Sequence, residues 1–140
     1  MVVVPEDHPL ARLSSLTLGD LGGYPLITYD IGFTGRGHID DAFAQAGIST
    51  DIVLTAMDSD VIQQYVSLGL GVGIVASMVV ENNLAPGLKA LEASHLFAPN
   101  VTRLAVRRGA YLRAYTYEFI LRFAPGLKRS DIETALSAAG

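Results

Sequence analysis

The sequence predicts an α/β fold, a mostly parallel sheet with helices on both faces. Three short runs that are apolar or rich in β-branched residues, Pro25–Tyr29, Asp51–Ala56 and Val72–Ala76, have the composition of strands. Helical repeats of apolar residues separate them, at 35–46 and 58–70. Half of the residues are hydrophobic and 17% are charged, so the chain can bury a substantial core. Strands that alternate with helices favour a parallel sheet over a meander.

The first half of the chain divides at its prolines and glycines. Val2–Val4 predicts a strand, and the prolines that follow it predict an extended connector over residues 5–15. Leu16–Leu21 predicts a helical turn. Thr34 is the expected N-cap of a helix that runs to about Ala46, with Gly47 at its left-handed stop.

The second half continues the alternation and ends in helices. Asp58 or Ser59 is expected to cap the helix of residues 58–70, and Ser130 with Glu133 has the spacing of a capping box. The further elements predicted are a short helix at Ser77–Glu81, strands at Leu88–Leu91 and Thr102–Arg107, and helices at Tyr111–Phe123 and Asp131–Ala139.

Composition excludes several classes of protein. The chain has no cysteine, no apolar run near the ~20 residues of a membrane helix, and no signal-peptide pattern at its start, so we expect a cytoplasmic protein. Residues 1–102 hold three basic and eleven acidic residues, a net charge of −8, and the remaining residues carry +4. This balance argues against DNA binding by this chain alone.

Residues suited to catalysis are sparse. His8, His38 and His95 are far apart and fit no metal-ligand spacing, so we expect no metal or other cofactor. Asp58 and Asp60 fit capping and the helix dipole without any acid–base role. Gly69, Gly71 and Gly73 lie between a helix and a strand, the reverse of a dinucleotide fingerprint, and indicate a tight turn.

Two strand ends form the candidate ligand site. Each strand is followed directly by a helix start, where unpaired backbone N–H groups favour an anion. The parallel order would bring both ends to one crevice. The alternative is ordinary capping with a surface arginine. The candidate contact residues are Thr28, Tyr29, Asp30, Phe33, Thr34, Gly35 and Arg36 at the first end, and Thr55, Met57 and Ser59 at the second.

Four segments resemble the effector-binding domain of LysR-type transcriptional regulators. They are VVVPEDHPLA, YPLITYDIGFTGRGHIDDAFAQAGI, DIVLTAMDSDVIQQYVSLGLGVGIVASMVV and YLRAYTYEFILRFAP, and the GFTGR turn is similar to the CysB-like subgroup. The resemblance implies one subdomain of a type 2 periplasmic-binding-protein-like fold. It divides the chain into a hinge strand and connector (1–15), the second subdomain (16–100), and a return strand with C-terminal helices (101–140). No helix-turn-helix is present in the sequence.

The resemblance also implies a function. CysB-like regulators sense sulfur status through sulfate, thiosulfate or acetylserine, act as homo-oligomers, and bind DNA through an N-terminal domain that this chain lacks. Where that subgroup offers hydroxyl groups to sulfate, this chain has Val4–Pro5 and Met57, which favours a larger organic sulfur ligand. The alternatives are a solute-binding protein fragment of the same fold, a small α/β enzyme, or an assembly interface.

Overall fold

Five strands pair into one sheet in the computed structural model, which describes residues 1–101 and 103–137 and, of Thr34 and Asn82, the backbone only. The strands are β1 (Val2–Pro5), β2 (Pro25–Tyr29), β3 (Asp51–Ala56), β4 (Val72–Ile74) and β5 (Leu88–Leu91), in the order β3-β2-β4-β1-β5. β2 is parallel to β3 and β4, and β1 is antiparallel to β4 and β5. Four strands therefore run in one direction, and the predicted mostly parallel α/β sheet is confirmed.

Helices cover both faces of this sheet, as predicted. The helices that connect its strands are α1 (Leu18–Gly22), α2 (Thr34–Gln45), α3 (Ser59–Ser67) and α4 (Ser77–Asn82). Two further helices, α5 (Ala114–Phe123) and α6 (Arg129–Ser137), come later in the chain. On one face, Ile39 and Phe43 of α2 pack in a cluster with Leu21 of α1. On the other face, Ile62 and Val66 of α3 are fully buried.

The alternation of β1 explains how one strand supports two cores. Val2 and Val4 belong to the cluster under α1 and α2, whereas Val3 belongs to the cluster under α3. All three side chains are fully buried. Burying a valine side chain contributes about 1.5–3 kcal/mol, so this short strand is a main source of stability.

Gly69 and Gly71 precede β4 in a tight turn, as predicted, whereas Gly73 lies within the strand. Gly69 has φ +74°, a left-handed conformation that follows the end of α3. A β-carbon at Gly71 would lie 2.6 Å from the Pro25 carbonyl oxygen, and one at Gly73 would lie 2.8 Å from Val66 Cγ2. Gly69 therefore serves chain reversal, Gly71 allows the chain to approach Pro25 closely, and Gly73 allows α3 to pack closely on the sheet.

The N-terminal region departs from the predicted extended connector. Pro9–Arg12 is a 3₁₀ helix, because the His8 ring accepts a hydrogen bond from the Leu10 backbone and Pro9 supplies a preset φ.

The helical turn predicted at Leu16–Leu21 begins two residues later, as α1. There Thr17 and Asp20 form a capping box, and hydrogen bonds from the Thr17 side chain and backbone lower the pKa of Asp20.

Other boundaries also differ from the predictions. The N-cap of α2 is Phe33 and not Thr34, which is the first helical residue. β4 ends at Ile74, two residues earlier than predicted, because the chain turns there toward α4. α5 begins at Ala114, three residues later than predicted.

The chain forms two units, Met1–Asn100, which contains the sheet, and Val101–Gly140. In the second unit, the strand predicted at Thr102–Arg107 is absent over 103–107, and Thr102 lies outside the described residues. No strand pairs with 103–107, and an unpaired strand leaves its amides and carbonyls unsatisfied.

The last helix of the second unit also starts differently from the prediction. The Asp131 carboxylate accepts from the Lys128 backbone, while Glu133 pairs with Arg129, so Ser130 and Glu133 form no capping box. α6 therefore begins at Arg129, and the predicted end at Ala139 lies outside the described residues. The Arg129 guanidinium lies 4.4 Å from the Tyr117 ring centroid, which joins α6 to α5.

Candidate functional site

Three strands end at the same edge of the sheet, and a helix begins after each of them. β2 leads to α2, β3 leads to α3, and β4 leads to α4. The candidate site predicted from the sequence includes the first two junctions but not the third, although the strand and the helix of the third junction were also predicted. The run from Ile74 to Ser77 carries the same strand-end, helix-start pattern, and that signal could have identified it.

Tyr29 connects these three junctions. Its hydroxyl lies 2.8 Å from Ser59 Oγ at the start of α3 and accepts a hydrogen bond from the Ala76 backbone N–H, at 3.0 Å, at the N-cap of α4. Phe33 stacks on the Tyr29 ring, with centroids 6.0 Å apart. The predicted residues Tyr29, Phe33 and Ser59 are thus brought together, and Ala76 joins them.

Asp30 and Thr55 form a second polar pair at this edge. Asp30 Oδ1 accepts hydrogen bonds from the Ile31 backbone N–H at 2.9 Å and from Thr55 Oγ1 at 3.3 Å. The Asp30 backbone N–H in turn donates to the Ala56 carbonyl, which continues the β2–β3 ladder by one residue. This pair fixes the chain where it leaves the sheet.

Arg36 is less available to an anion than the sequence suggested. Its Nε donates to both carboxylate oxygens of Asp40, at 2.8 and 2.9 Å, and Nη1 donates to the Tyr29 carbonyl at 3.2 Å. Its side chain is only 12% exposed. The guanidinium therefore ties the start of α2 to the end of β2, and Asp40 neutralises its charge.

Thr28 does not reach the surface of the site. It is fully buried, and its hydroxyl donates to the Ile74 carbonyl at 3.1 Å. Side chains alternate between the two faces along β2, so Thr28 lies on the same buried face of the sheet as Leu26. Its hydroxyl therefore serves the core and is not exposed at the strand-end site.

Gly35 lies close to a side chain from a later part of the chain. A β-carbon at this position would be 3.2 Å from Asn100 Nδ2 and 3.9 Å from the Tyr29 ring. The glycine therefore permits the close approach of Asn100, a residue that the sequence did not identify.

The backbone of Thr34 begins α2, and its side chain lies outside the described residues, so a role for its hydroxyl stays a prediction.

The rim of the site is open and apolar. Ile31 is 81% exposed and Met57 is 73% exposed, and Phe33 is also exposed. Two hollows lie elsewhere on the same unit. One of about 390 Å³ lies beside His38 and Gln45, and one of about 120 Å³ lies beside His8 and Tyr24. Exposed apolar side chains therefore border the polar groups of the strand-end site.

Across 1–101 and 103–137, no three His, Cys, Asp or Glu side chains gather where they could hold a metal ion. Within the same ranges, no helix is long and apolar enough to cross a membrane.

A family model described as the LysR substrate binding domain matches residues 1–126. The chain belongs to the LysR substrate-binding domain family. Its relatives include the HTH-type transcriptional regulators SsuR and CysB of Burkholderia cenocepacia, 51% identical over 138 residues and 52% identical over 134. These alignments cover 99% and 96% of this chain but 45% and 43% of the relatives, so this LysR-family chain spans less than half of their length.

A crystal structure supports the family assignment independently. The cofactor-binding domain of the Cbl transcriptional regulator aligns with a TM-score of 0.82 at 44% identity. The alignment covers 99% of this chain and 60% of the Cbl domain. The arrangement of sheet and helices is therefore that of a LysR substrate-binding domain.

Proposed function

We propose that this chain is the effector-sensing part of a bacterial LysR-type regulator of the CysB-like group, and that it binds a small anion or sulfur metabolite to control sulfur-metabolism genes. The observation that carries the proposal is the edge where β2, β3 and β4 end together, with the Tyr29 and Ser59 hydroxyls at its centre. Ligands of open α/β sheets bind beyond such strand ends. The relatives are transcriptional regulators, which favours a binding module over an enzyme.

The open form of the site supports a role as one wall of a cleft. Its polar groups lie beside the exposed apolar side chains of Ile31 and Met57. Such a wall suits a ligand that combines an oxygen-rich group with an apolar or thioether part. Sulfate, thiosulfate and an acetylserine-like metabolite are the candidate effectors, and the exposed Met57 favours an organic one.

We propose the remaining properties from the relatives. The regulator would act in the cytoplasm as a homo-oligomer. It would bind DNA through a domain other than the one described, and ligand-driven closure would be passed to that domain. The net charge of −4 agrees with this division of labour, because DNA binding needs a basic surface.

Calorimetric titration of the intact protein with sulfate, thiosulfate and O-acetylserine tests the proposal. We expect at least one to bind, and Ser59→Ala to weaken it about tenfold, the scale of one hydrogen bond to a charged group. Ser14→Ala is the matched control, because Ser14 is exposed and remote from the site in sequence. Absence of binding by all three compounds would contradict the proposed function.

A further inference from the structure

Three hydrogen-bonding groups, the Ala76 backbone N–H and the hydroxyls of Tyr29 and Ser59, are linked in a chain. The Ala76 backbone N–H can only donate, so the Tyr29 oxygen accepts there, at 3.0 Å. The Tyr29 proton is then free to donate to Ser59 Oγ, 2.8 Å away. Either hydroxyl of the Tyr29–Ser59 pair can donate by geometry, and the order Ala76 N–H to Tyr29 O–H to Ser59 O–H is the one in which the Tyr29 proton has an acceptor.

This order determines what Ser59 can offer to a ligand. A serine hydroxyl has one proton and two acceptor sites, and Tyr29 occupies one acceptor site. Among the described residues, the Ser59 proton has no other partner. Hydrogen bonds in a chain polarise one another, so the proton at the end of this chain is a stronger donor than that of an isolated serine.

The surroundings of Tyr29 hold the chain in place. Phe33 stacks on one side of the tyrosine ring, and the Arg36 guanidinium donates to the Tyr29 carbonyl. Tyr29 is the last residue of β2 and pairs with Ala56 of β3. Its hydroxyl is therefore presented from a fixed strand to two helix starts.

We propose that Tyr29 is a positioning residue that commits the Ser59 hydroxyl to donate to the effector. The site therefore selects ligands that present an acceptor oxygen at this point, such as a sulfate, sulfonate or carboxylate group. The same tyrosine oxygen holds the start of α4, so an occupied Ser59 also tightens the Ala76 hydrogen bond. This inference rests on the proposed function, because it specifies how the effector is recognised at that site.

A double-mutant cycle on the intact protein tests the inference, with the effector found by calorimetry as the probe. Tyr29→Phe and Ser59→Ala should each weaken binding about tenfold, and the double variant should also lose about tenfold and not about a hundredfold. The losses do not add because Tyr29 acts only through the Ser59 hydroxyl, which Ser59→Ala already removes. Ser59→Thr, which keeps a hydroxyl, should restore most of the affinity.

A matched variant separates positioning from a general loss of structure. Tyr24 lies immediately before β2, at the end of the strand remote from Tyr29. Tyr24→Phe removes its hydroxyl and should leave the affinity for the effector unchanged. Amide exchange gives a second readout. Tyr29→Phe should speed exchange of the Ala76 amide, and the effector should slow that exchange in the wild type but not in Ser59→Ala.

The possible failures are distinguishable. If the wild type binds an effector but the two losses multiply to about a hundredfold, Tyr29 does not act through Ser59 and the inference is wrong. The same conclusion follows if the effector slows Ala76 exchange equally in Ser59→Ala. If the wild type binds none of the three compounds, the proposed function fails, and the inference fails with it.

Discussion

Thr28 and Ser59 both offer a hydroxyl near the end of a strand, but the fold gives them different surroundings. Thr28 is fully buried and donates to the Ile74 carbonyl, whereas Ser59 begins a helix and is partly exposed. Thr28→Val keeps the side-chain shape and removes one buried hydrogen bond. We expect the free energy of unfolding to fall by about 1 kcal/mol, measured by urea denaturation.

Measuring the affinity for the effector distinguishes a purely structural role of Thr28 from direct contact with the ligand. Thr28→Val should leave the dissociation constant unchanged, while Ser59→Ala raises it. A loss of affinity in Thr28→Val as large as that in Ser59→Ala would place the Thr28 hydroxyl on the ligand. The variant should retain its fold, because valine suits a buried strand.

Arg36 illustrates why a charged residue in a sequence motif can have a structural task. Arg36 follows a glycine-containing turn at the start of a helix, and this position suggested that its side chain binds an anion. The side chain instead bonds Asp40, four residues later on α2, and the carbonyl at the end of β2. The i, i+4 spacing that permits the Asp40 pair is visible in the sequence, but the bond back to Tyr29 depends on the angle at which α2 leaves the sheet.

At the scale of elements, a buried glutamine fixes the chain after α4. Gln63 of α3 is 2% exposed, donates to the Asn83 carbonyl at 3.2 Å, and accepts from the Ala85 backbone at 2.8 Å. Gln63→Leu leaves both backbone groups without this partner. We expect a loss of about 1–3 kcal/mol in the free energy of unfolding.

The neighbouring residue provides the matched control for Gln63. Gln64 lies on the same helix, is exposed, and makes no side-chain hydrogen bond among the described residues. Gln64→Leu should change stability by no more than about 0.5 kcal/mol. Equal effects of the two substitutions would show that the leucine side chain, and not the lost hydrogen bonds, is responsible.

The packing of α3 on the sheet depends on Gly73. A β-carbon there would lie 2.8 Å from Val66 Cγ2 and 3.3 Å from Ile62 Cγ2, both on buried and conformationally stiff side chains. Gly73→Ala should therefore overpack this interface and lower the free energy of unfolding by about 1–3 kcal/mol. Thermal or urea denaturation measures the loss.

Replacing Gly37 with alanine should have the opposite effect on stability from replacing Gly73. Gly37 lies within α2, and nothing is within 4 Å of the place its β-carbon would occupy. Gly37→Ala should stabilise the protein by about 0.5–1 kcal/mol, because alanine loses less backbone entropy in a helix. If Gly73→Ala were as stabilising as Gly37→Ala, α3 would not be packed against β4 as described.

The elements that could be predicted are those with local signals. β2 and β3 match their predicted bounds, because Pro25 and Asp51 mark their starts and β-branched residues fill them. The first residues of helices are harder to predict from sequence. The N-cap of α2, for example, is Phe33, whose side chain offers no capping oxygen. Residues 103–107 have the composition of a strand, but pairing needs a partner that composition cannot supply.

For the whole molecule, the sequence located the sheet edge but not the bonds that organise it. Two strand-end junctions could be read from local pattern, and parallel order placed them side by side. The bond that joins the third junction to the other two links Ala76 to Tyr29, 47 residues apart in the sequence. Such long-range bonds follow from the strand order, with β4 inserted beside β2, which no local spacing reveals.

Proton binding links His8 to the stability of the whole molecule. Its ring accepts a hydrogen bond from the Leu10 backbone through Nδ1 and packs against Tyr24, with ring centroids 4.7 Å apart. Burial lowers the pKa of His8 below its ordinary value of 6.5, and the nearby Asp7 offsets this only in part. Protonation would also remove the Nδ1 acceptor that begins the 3₁₀ helix.

The direction of the pH effect follows from this lowered pKa. Because the unfolded chain binds the proton more readily than the folded one, the contribution of His8 is present above about pH 6.5 and is lost as the pH falls toward the lower folded pKa. His8→Asn keeps a capping acceptor but does not titrate. We expect the urea midpoint of the wild type to fall relative to that of His8→Asn between about pH 7.5 and 5.5. His38 and His95 are present in both proteins and cancel in this comparison, so a constant difference across the range would contradict the linkage.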